Sequence, residues 1–204
     1  TETPDGEPVL VKPMQAFPLT KDLVTDTSWA YETDMRIVPI NGPDEPDWEF
    51  HQEEADRIQE FRSCIECMLC VNTCHVLREH QKFDEFAGPR FFVRLAGLEM
   101  HPLDTENRIP RIKEDFGIGY CNITKCCTEV CPAGIKITDN AIIPLKERVV
   151  TEFYDPLAIV ARRLGIKEKL PKPSPRLYVG DANVKVARRA LEKERGRAEN
   201  ARKL

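Results

Sequence analysis

A mostly α-helical fold is what the sequence predicts, and three observations predict it. No stretch between residues 53 and 165 alternates apolar and polar residues as a half-buried strand would. Two stretches there instead carry apolar residues at helical spacing: Phe91, Phe92, Leu95 and Leu98 in one, Ala141, Ile142, Leu145 and Val149 in the other. All eight cysteines fall into two short runs, Cys64–Cys74 and Cys121–Cys131, and the rest of the region is laid out around them.

In chain order, residues 1–50 read as irregular. Val9–Val11 suggests a short strand, and Pro13 and Pro18 then break regular structure twice, because each lacks an N–H and constrains the residue before it. Thr20–Val24 suggests a short helix. Residues 39–48, with Pro39, Gly42, Pro43 and Pro46 among acids, read as a linker whose end is anchored by Trp48 and Phe50. Glu53–Ser63 predicts a helix with acids in its first turn and Ile58 and Phe61 inward. Gly88-Pro89 starts the next helix, with Pro at its first position, and His101-Pro102 ends it. Thr138 or Asp139 caps a helix through Val150, which Pro144 should kink or restart. A last short helix runs from Pro156 to Leu164, before Gly165. Three regions result: 1–50 irregular, 51–165 helical, and 166–204 a linker and charged tail. The tail opens on a stiff Lys172-Pro-Ser-Pro stretch and continues as a basic C-terminal helix from Asp181.

Composition excludes several classes. A 41% hydrophobic and 31% charged chain of net charge -4 is an ordinary globular balance. No apolar run of about eighteen residues is present to span a bilayer. The sequence begins Thr-Glu-Thr-Pro-Asp-Gly, without the pattern of a secretory leader. Residues 172–204 hold ten Lys/Arg against four Asp/Glu. Such a face is solvated, or docks on an acidic partner or on anionic lipid headgroups. There is no nucleophile–base pair, phosphate-binding glycine loop or pattern for nucleic acid.

The cysteines carry the chemistry. A disulfide framework suits a short secreted chain, and cysteines three apart on a helical turn rarely have disulfide geometry. Cys64, Cys67, Cys70 and Cys74 have the C-x2-C-x2-C-x3-C spacing of bacterial ferredoxins, in which three thiolates hold one iron–sulfur cluster and the fourth reaches another. The missing ligand of the first cluster should be a remote Cys followed by Pro, and Cys131-Pro132 fits. Cys74, Cys121 and Cys127 then hold the second. Structural zinc, the main rival, uses four closed ligands and explains neither the triple spacing nor seven or eight thiols together. The fold class is therefore a mostly α, all-helical, bacterial-ferredoxin-like dicluster domain with an irregular N-terminal extension and a basic C-terminal helix.

With these motifs in hand, residues 9–165 resemble the iron–sulfur subunit of succinate dehydrogenase and fumarate reductase. The resemblance rests on Met14-x-x-Phe17-Pro18-x-x-Lys21-Asp22-Leu23-Val24, the first cysteine run, Gly88-Pro89, Asp104-Thr105-Glu106 and C-x5-C-x3-C-P. It implies a [4Fe–4S] cluster on Cys64, Cys67, Cys70 and Cys131 and a [3Fe–4S] cluster on Cys74, Cys121 and Cys127. It also implies a flavoprotein partner, one or more membrane-anchor subunits and a quinone, between which this chain relays electrons. Its location would be peripheral, on the cytoplasmic face of the bacterial inner membrane, or the matrix face in a mitochondrion.

Three departures qualify the resemblance. The plant-type [2Fe–2S] ferredoxin domain of that family is absent except for what looks like its tail in residues 1–50. That cluster is expected only if an upstream domain lies outside this sequence. Thr124 stands three residues after Cys121, where a fourth ligand of a [4Fe–4S] cluster would fall, and Cys126 is extra, either a bystander thiol or a substitute ligand. His75 follows Cys74 where Pro is usual, and Arg78, Asn122 and Thr124 occupy other positions near the expected quinone site. Lys125 and Lys136, close to the ligands in sequence, either raise cluster potentials or are simply solvated. The alternatives are a dicluster subunit of a heterodisulfide reductase or glycerol-3-phosphate dehydrogenase complex, and a zinc-stabilised scaffold.

Overall fold

A computed structural model of the chain describes residues 6, 8–42 and 51–163. The linker end with Trp48 and Phe50, the Lys172-Pro-Ser-Pro stretch and the basic C-terminal helix lie outside the described residues. Among those described, about half of the residues are helical and there is a single short hairpin. That hairpin pairs β1 (Leu19–Lys21) with β2 (Val24–Thr25) in antiparallel fashion. It replaces the helix expected over Thr20–Val24. The reason is local: Asp22 takes a left-handed turn at φ 53°, which Asp tolerates, and β-branched Thr20, Val24 and Thr25 favour extended backbone. The strand expected at Val9–Val11 is not formed: those residues belong to no regular element and are exposed.

The helices follow as α1 (Ser28–Asp34), α2 (Gln52–Arg62), α3 (Leu69–Asn72), α4 (His75–Arg78), α5 (Pro89–Glu99), α6 (Ile109–Glu114), α7 (Cys126–Glu129), α8 (Ile143–Tyr154) and α9 (Pro156–Arg163). The central element is α5. It starts on Pro89 after Gly88, whose φ of 87° suits glycine alone, and it buries Phe91, Phe92, Val93, Leu95 and Ala96. Only Arg94 is exposed along it, with Leu98 half-buried, so it is enclosed on nearly all sides rather than amphipathic. Around it pack α1, α2, α3 and a wide π-helical stretch, Ile137–Ile142, that leads into α8.

Pro144 explains that stretch. A proline cannot donate to the carbonyl four residues back and crowds it, so the chain widens by one residue per turn before Pro144 and resumes α-helix at Ile143. The inward face carries Ala141, Ile142, Leu145 and Val149, all buried. Helix α2 begins with Glu54 Oε2 accepting the His51 N–H at 3.1 Å and buries Ile58 and Phe61.

The N-terminal segment shares this core. Ala16, Phe17 and Ala30 are buried in it, and Trp29 donates from Nε1 to the Phe83 carbonyl at 3.1 Å. The Ala16 N–H donates to Asn72 Oδ1 at 3.1 Å, tying the segment to α3 between Cys70 and Cys74. Arg108, 3% exposed, ties residues 38 and 39 down by donating to the carbonyls of Val38 (2.7 Å) and Pro39 (3.0 Å) while pairing with Asp104 Oδ2 at 2.8 Å.

Gly117 closes the turn into the second cysteine run at φ 59°, and a Cβ there would sit 1.9 Å from the Glu85 carbonyl oxygen. Gly117→Ala is expected to destabilise the protein by at least about 2 kcal/mol. Gly119→Ala, where a Cβ meets nothing within 4 Å, serves as the control. Thermal unfolding of the two variants checks the difference, and equal midpoints would refute the backbone argument.

Candidate metal centre

The two cysteine runs adopt the same backbone, 57 residues apart in the chain. In the first, Glu66 and Met68 take left-handed conformations at φ 59° and 61°. In the second, Ile123 and Lys125 do so at 62° and 64°. Each run then enters a one-turn helix, α3 after Met68 and α7 after Lys125. Left-handed residues at alternate positions curl the chain so that successive cysteines face one side. Side chains with a Cβ pay for this with about 1–2 kcal/mol of strain each, and β-branched Ile123 is the least suited. By this repeat, Thr124 of the second run occupies the position of Cys67 in the first.

Each run lines a cavity and lends one thiol to the other. Cys64, Cys67, Cys70 and the distant Cys131 line a cavity partly open to solvent. Cys74, Cys121 and Cys127 line a second, together with Cys126. All eight cysteines are free thiols. The start of α5 and the start of the π-helical stretch separate the cavities. Arg90 and Ile137 line the first, and their chain neighbours Pro89 and Thr138 line the second.

The electrostatics of the thiols are set by burial. It pushes Cys70 far above the ordinary thiol range, and the neighbouring thiols, Cys127 foremost, push the same way. Burial raises Cys64 too, against the opposing charges of Arg90 and Arg94. It raises Cys74 against backbone N–H groups of Leu77 and Val76, and Cys127 against the Thr138 hydroxyl. As free thiols these groups stay protonated at neutral pH, so a metal that binds them as thiolates must release protons. Hydroxyl contacts reach the second site in sequence: Thr128 Oγ1 donates to Thr138 Oγ1 at 3.1 Å, and that oxygen lies 3.4 Å from Cys127 Sγ.

This donor set fits iron–sulfur cores. Structural zinc draws four ligands to about 2.3 Å from one ion. Among the described residues no three Cys, His, Asp or Glu side chains converge to hold a single ion. The thiols instead surround two voids with apolar walls, Val93, Ile135 and Ile137 in one and Val76, Phe86 and Ile142 in the other.

Residues 60–135 match the family model of the 4Fe-4S dicluster domain. The chain is 25% identical to the succinate dehydrogenase iron–sulfur subunit of Bacillus subtilis, over 66% of this chain and 55% of that one. It is 31% identical to the fumarate reductase iron–sulfur subunit of Mycobacterium tuberculosis, over 63% of this chain and 54% of that one. This chain is a homologue of the succinate dehydrogenase and fumarate reductase iron–sulfur subunits. A chain of the Mycobacterium smegmatis Sdh1 complex, solved in the apo form, superposes with a TM-score of 0.69 at 53% identity, covering 72% of this chain and 63% of that one. The chain spans between about a third and about half of the length of the curated relatives it matches.

The residues expected near a quinone are partly assembled. His75, Asn122 and Thr124 line the second cavity, and Asn122 Nδ2 hydrogen-bonds His75 Nε2. Arg78 instead turns to Glu79, at 2.7 Å. Cys126 donates its S–H toward Thr124 Oγ1 at 3.5 Å. Lys125 pairs with Asp139 at 2.7 Å, so its charge beside the second site is offset. The Lys136 backbone N–H donates to Glu60 Oε1 at 2.7 Å.

Sequence reasoning missed the Thr128–Thr138 pair, the four left-handed positions and Arg90. The 57-residue self-similarity was available as a signal for the left-handed positions. For Arg90 the signal was a charge directly after Gly-Pro in an otherwise apolar stretch. Ile123→Asn, which tolerates the left-handed region, is expected to stabilise the purified protein by about 1 kcal/mol. A rise in the thermal midpoint checks it; an unchanged or lower midpoint contradicts the strain argument.

Proposed function

We propose that this chain is the electron-relay subunit of a succinate dehydrogenase or fumarate reductase, carrying electrons between a flavin-bearing subunit and a membrane quinone. The observation that carries the reading is the exchange of thiols between two adjacent cavities. The kinship with succinate dehydrogenase and fumarate reductase subunits supports the same reading. In this reading residues 51–165 are the dicluster unit, and it has no substrate site of its own. Succinate chemistry belongs to the flavoprotein partner and quinone chemistry to the side nearest the membrane-anchor subunit. Among the described residues no helix is long and apolar enough to cross a membrane, which suits attachment through that anchor. The attachment would be on the cytoplasmic face of a bacterial inner membrane, or the matrix face of a mitochondrion.

Cys64, Cys67, Cys70 and Cys131 are the proposed ligands of a [4Fe–4S] cluster, and Cys74, Cys121 and Cys127 those of a [3Fe–4S] cluster. Thr124 at the position of the missing fourth thiol supports the smaller core. When bound, such cores supply one-electron redox chemistry with little change in shape. The chain's residues do the rest. The thiolates fix both centres on opposite sides of the Pro89–Arg90 and Ile137–Thr138 wall, and apolar side chains limit water. Hydrogen bonds from Thr138 and from the N–H groups of Val76 and Leu77 favour the more negative state of the second site. His75, Asn122 and Thr124, with Arg78 nearby, are the proposed quinone vicinity.

The test is iron and acid-labile sulfide content with low-temperature electron paramagnetic resonance of the intact complex. The oxidised protein is expected to give a [3Fe–4S] signal, which Cys127→Ser removes. The signal of the reduced [4Fe–4S] cluster should survive that substitution and be lost in Cys131→Ser. A silent oxidised sample would overturn the [3Fe–4S] assignment, and protein without iron or sulfide would overturn the whole reading.

A further inference from the structure

A permanent cation stands in the wall of the first cavity. Arg90, the residue after Pro89 in α5, is only 2% exposed. A guanidinium cannot shed its proton in a protein, so burying one demands compensation. Asp34 Oδ2, from α1, lies 2.7 Å from its Nη1, and Glu66 Oε2, from the loop between Cys64 and Cys67, lies 3.1 Å from its Nη2. The Tyr31 ring packs on the guanidinium at 5.3 Å. Arg94 shares both carboxylates, with its Nε 3.3 Å from Asp34 Oδ2 and its Nη2 paired to Glu66. Arg90 Nε has no hydrogen-bond partner among the described residues.

The quartet is neutral in sum but not in its effect on the cavity. Glu66 and Arg94 are 32% and 43% exposed, so water screens the outer pair. The inner pair is Arg90 with Asp34. Arg90 lines the cavity and Asp34 does not; Glu66 also lines it, but it is 32% exposed, so among the described residues the one fully buried charge in the cavity wall is the Arg90 guanidinium. The positive end of a buried ion pair therefore faces Cys64, Cys67, Cys70 and Cys131.

We propose that Arg90 is a positioning residue that sets the reduction potential of the first site, its buried charge and unpartnered Nε–H favouring the more negative, reduced form of the group held there. Asp34 acts in the opposite sense, so α1, outside both cysteine runs, adjusts a potential from behind the wall. The inference rests on reading the first cavity as an iron–sulfur site. It needs no new reaction: the group accepts one electron from a redox partner and returns it.

The experiment is redox potentiometry of the full complex, following the reduced signal of the first-site cluster. Arg90→Gln is expected to lower its midpoint, Arg90→Lys to recover part of the loss, and Asp34→Asn to raise it. The second-site midpoint should stay near its starting value in all three. Opposite shifts from opposite charges are not what a purely structural role produces. Midpoints unchanged in Arg90→Gln and Asp34→Asn, or moved in the same direction, overturn the inference. Should Arg90→Gln fail to accumulate, Asp34→Asn decides alone, and an unchanged or lowered midpoint rejects the idea. Iron and sulfide absent from the unsubstituted complex is a separate outcome, and it defeats the functional reading rather than the role of Arg90.

Discussion

Cys74 and Cys131 are the two side chains on which the remaining structure depends. Each sits at the end of its own run and lines the cavity of the other. A chain can meet that demand only if two segments 57 residues apart are held side by side in one relative orientation. The exchange therefore converts a local motif into a tertiary constraint. The helices serve it: the start of α5 stands between the two cavities, and Phe86, Phe116 and Ile118, from between the runs, join its Phe91 and Phe92 in the core. Binding of a core to four such thiols contributes folding free energy in its own right, because no preformed site exists in an unfolded chain.

The site also concentrates unfavourable local choices. Left-handed Glu66, Met68, Ile123 and Lys125 flank the ligands, and thiols are buried with their protonation pushed up. Neither is what a stable small domain would select. Both make sense if bound metal removes the protons and the thiol geometry requires the curl. The surrounding structure holds them in place with ordinary means: a continuous apolar core, a π-helical widening before Pro144, and ties from the N-terminal segment through Asn72, Phe83 and Arg108.

Charge near the two cavities is arranged differently. Beside the second, Lys125 is matched by Asp139 and hydroxyl and N–H donors reach the sulfurs. Beside the first, a buried guanidinium borders the thiols, with Asp34 outside the cavity lining and the more exposed Glu66 within it. Two neighbouring centres of similar ligand chemistry are thus set in distinct electrostatic surroundings by residues that bind nothing themselves. Surroundings of that kind are among the means by which a protein tunes the potential of a bound metal group.

The sequence by itself determined the cysteine pattern and the four longest described helices, α2, α5, α8 and α9. Cysteine spacing is a local property, and so are the signals at Glu53–Ser63, Gly88-Pro89 and Pro144, where capping, a fixed φ and a missing N–H act within one turn. It misread Thr20–Val24, where a single left-handed Asp22 makes a hairpin of residues that a propensity reading joins into a helix. It also did not register α1, α6 or the one-turn helices α3, α4 and α7, all too short to carry a clear period. Only the tertiary structure decided what stands around the thiols. Arg90 is an ordinary surface residue type, and nothing local to it reveals that Asp34 and Glu66, 56 and 24 residues away in the chain, close over it. Pairing of charges and exchange of thiols are long-range facts, set by how the core packs.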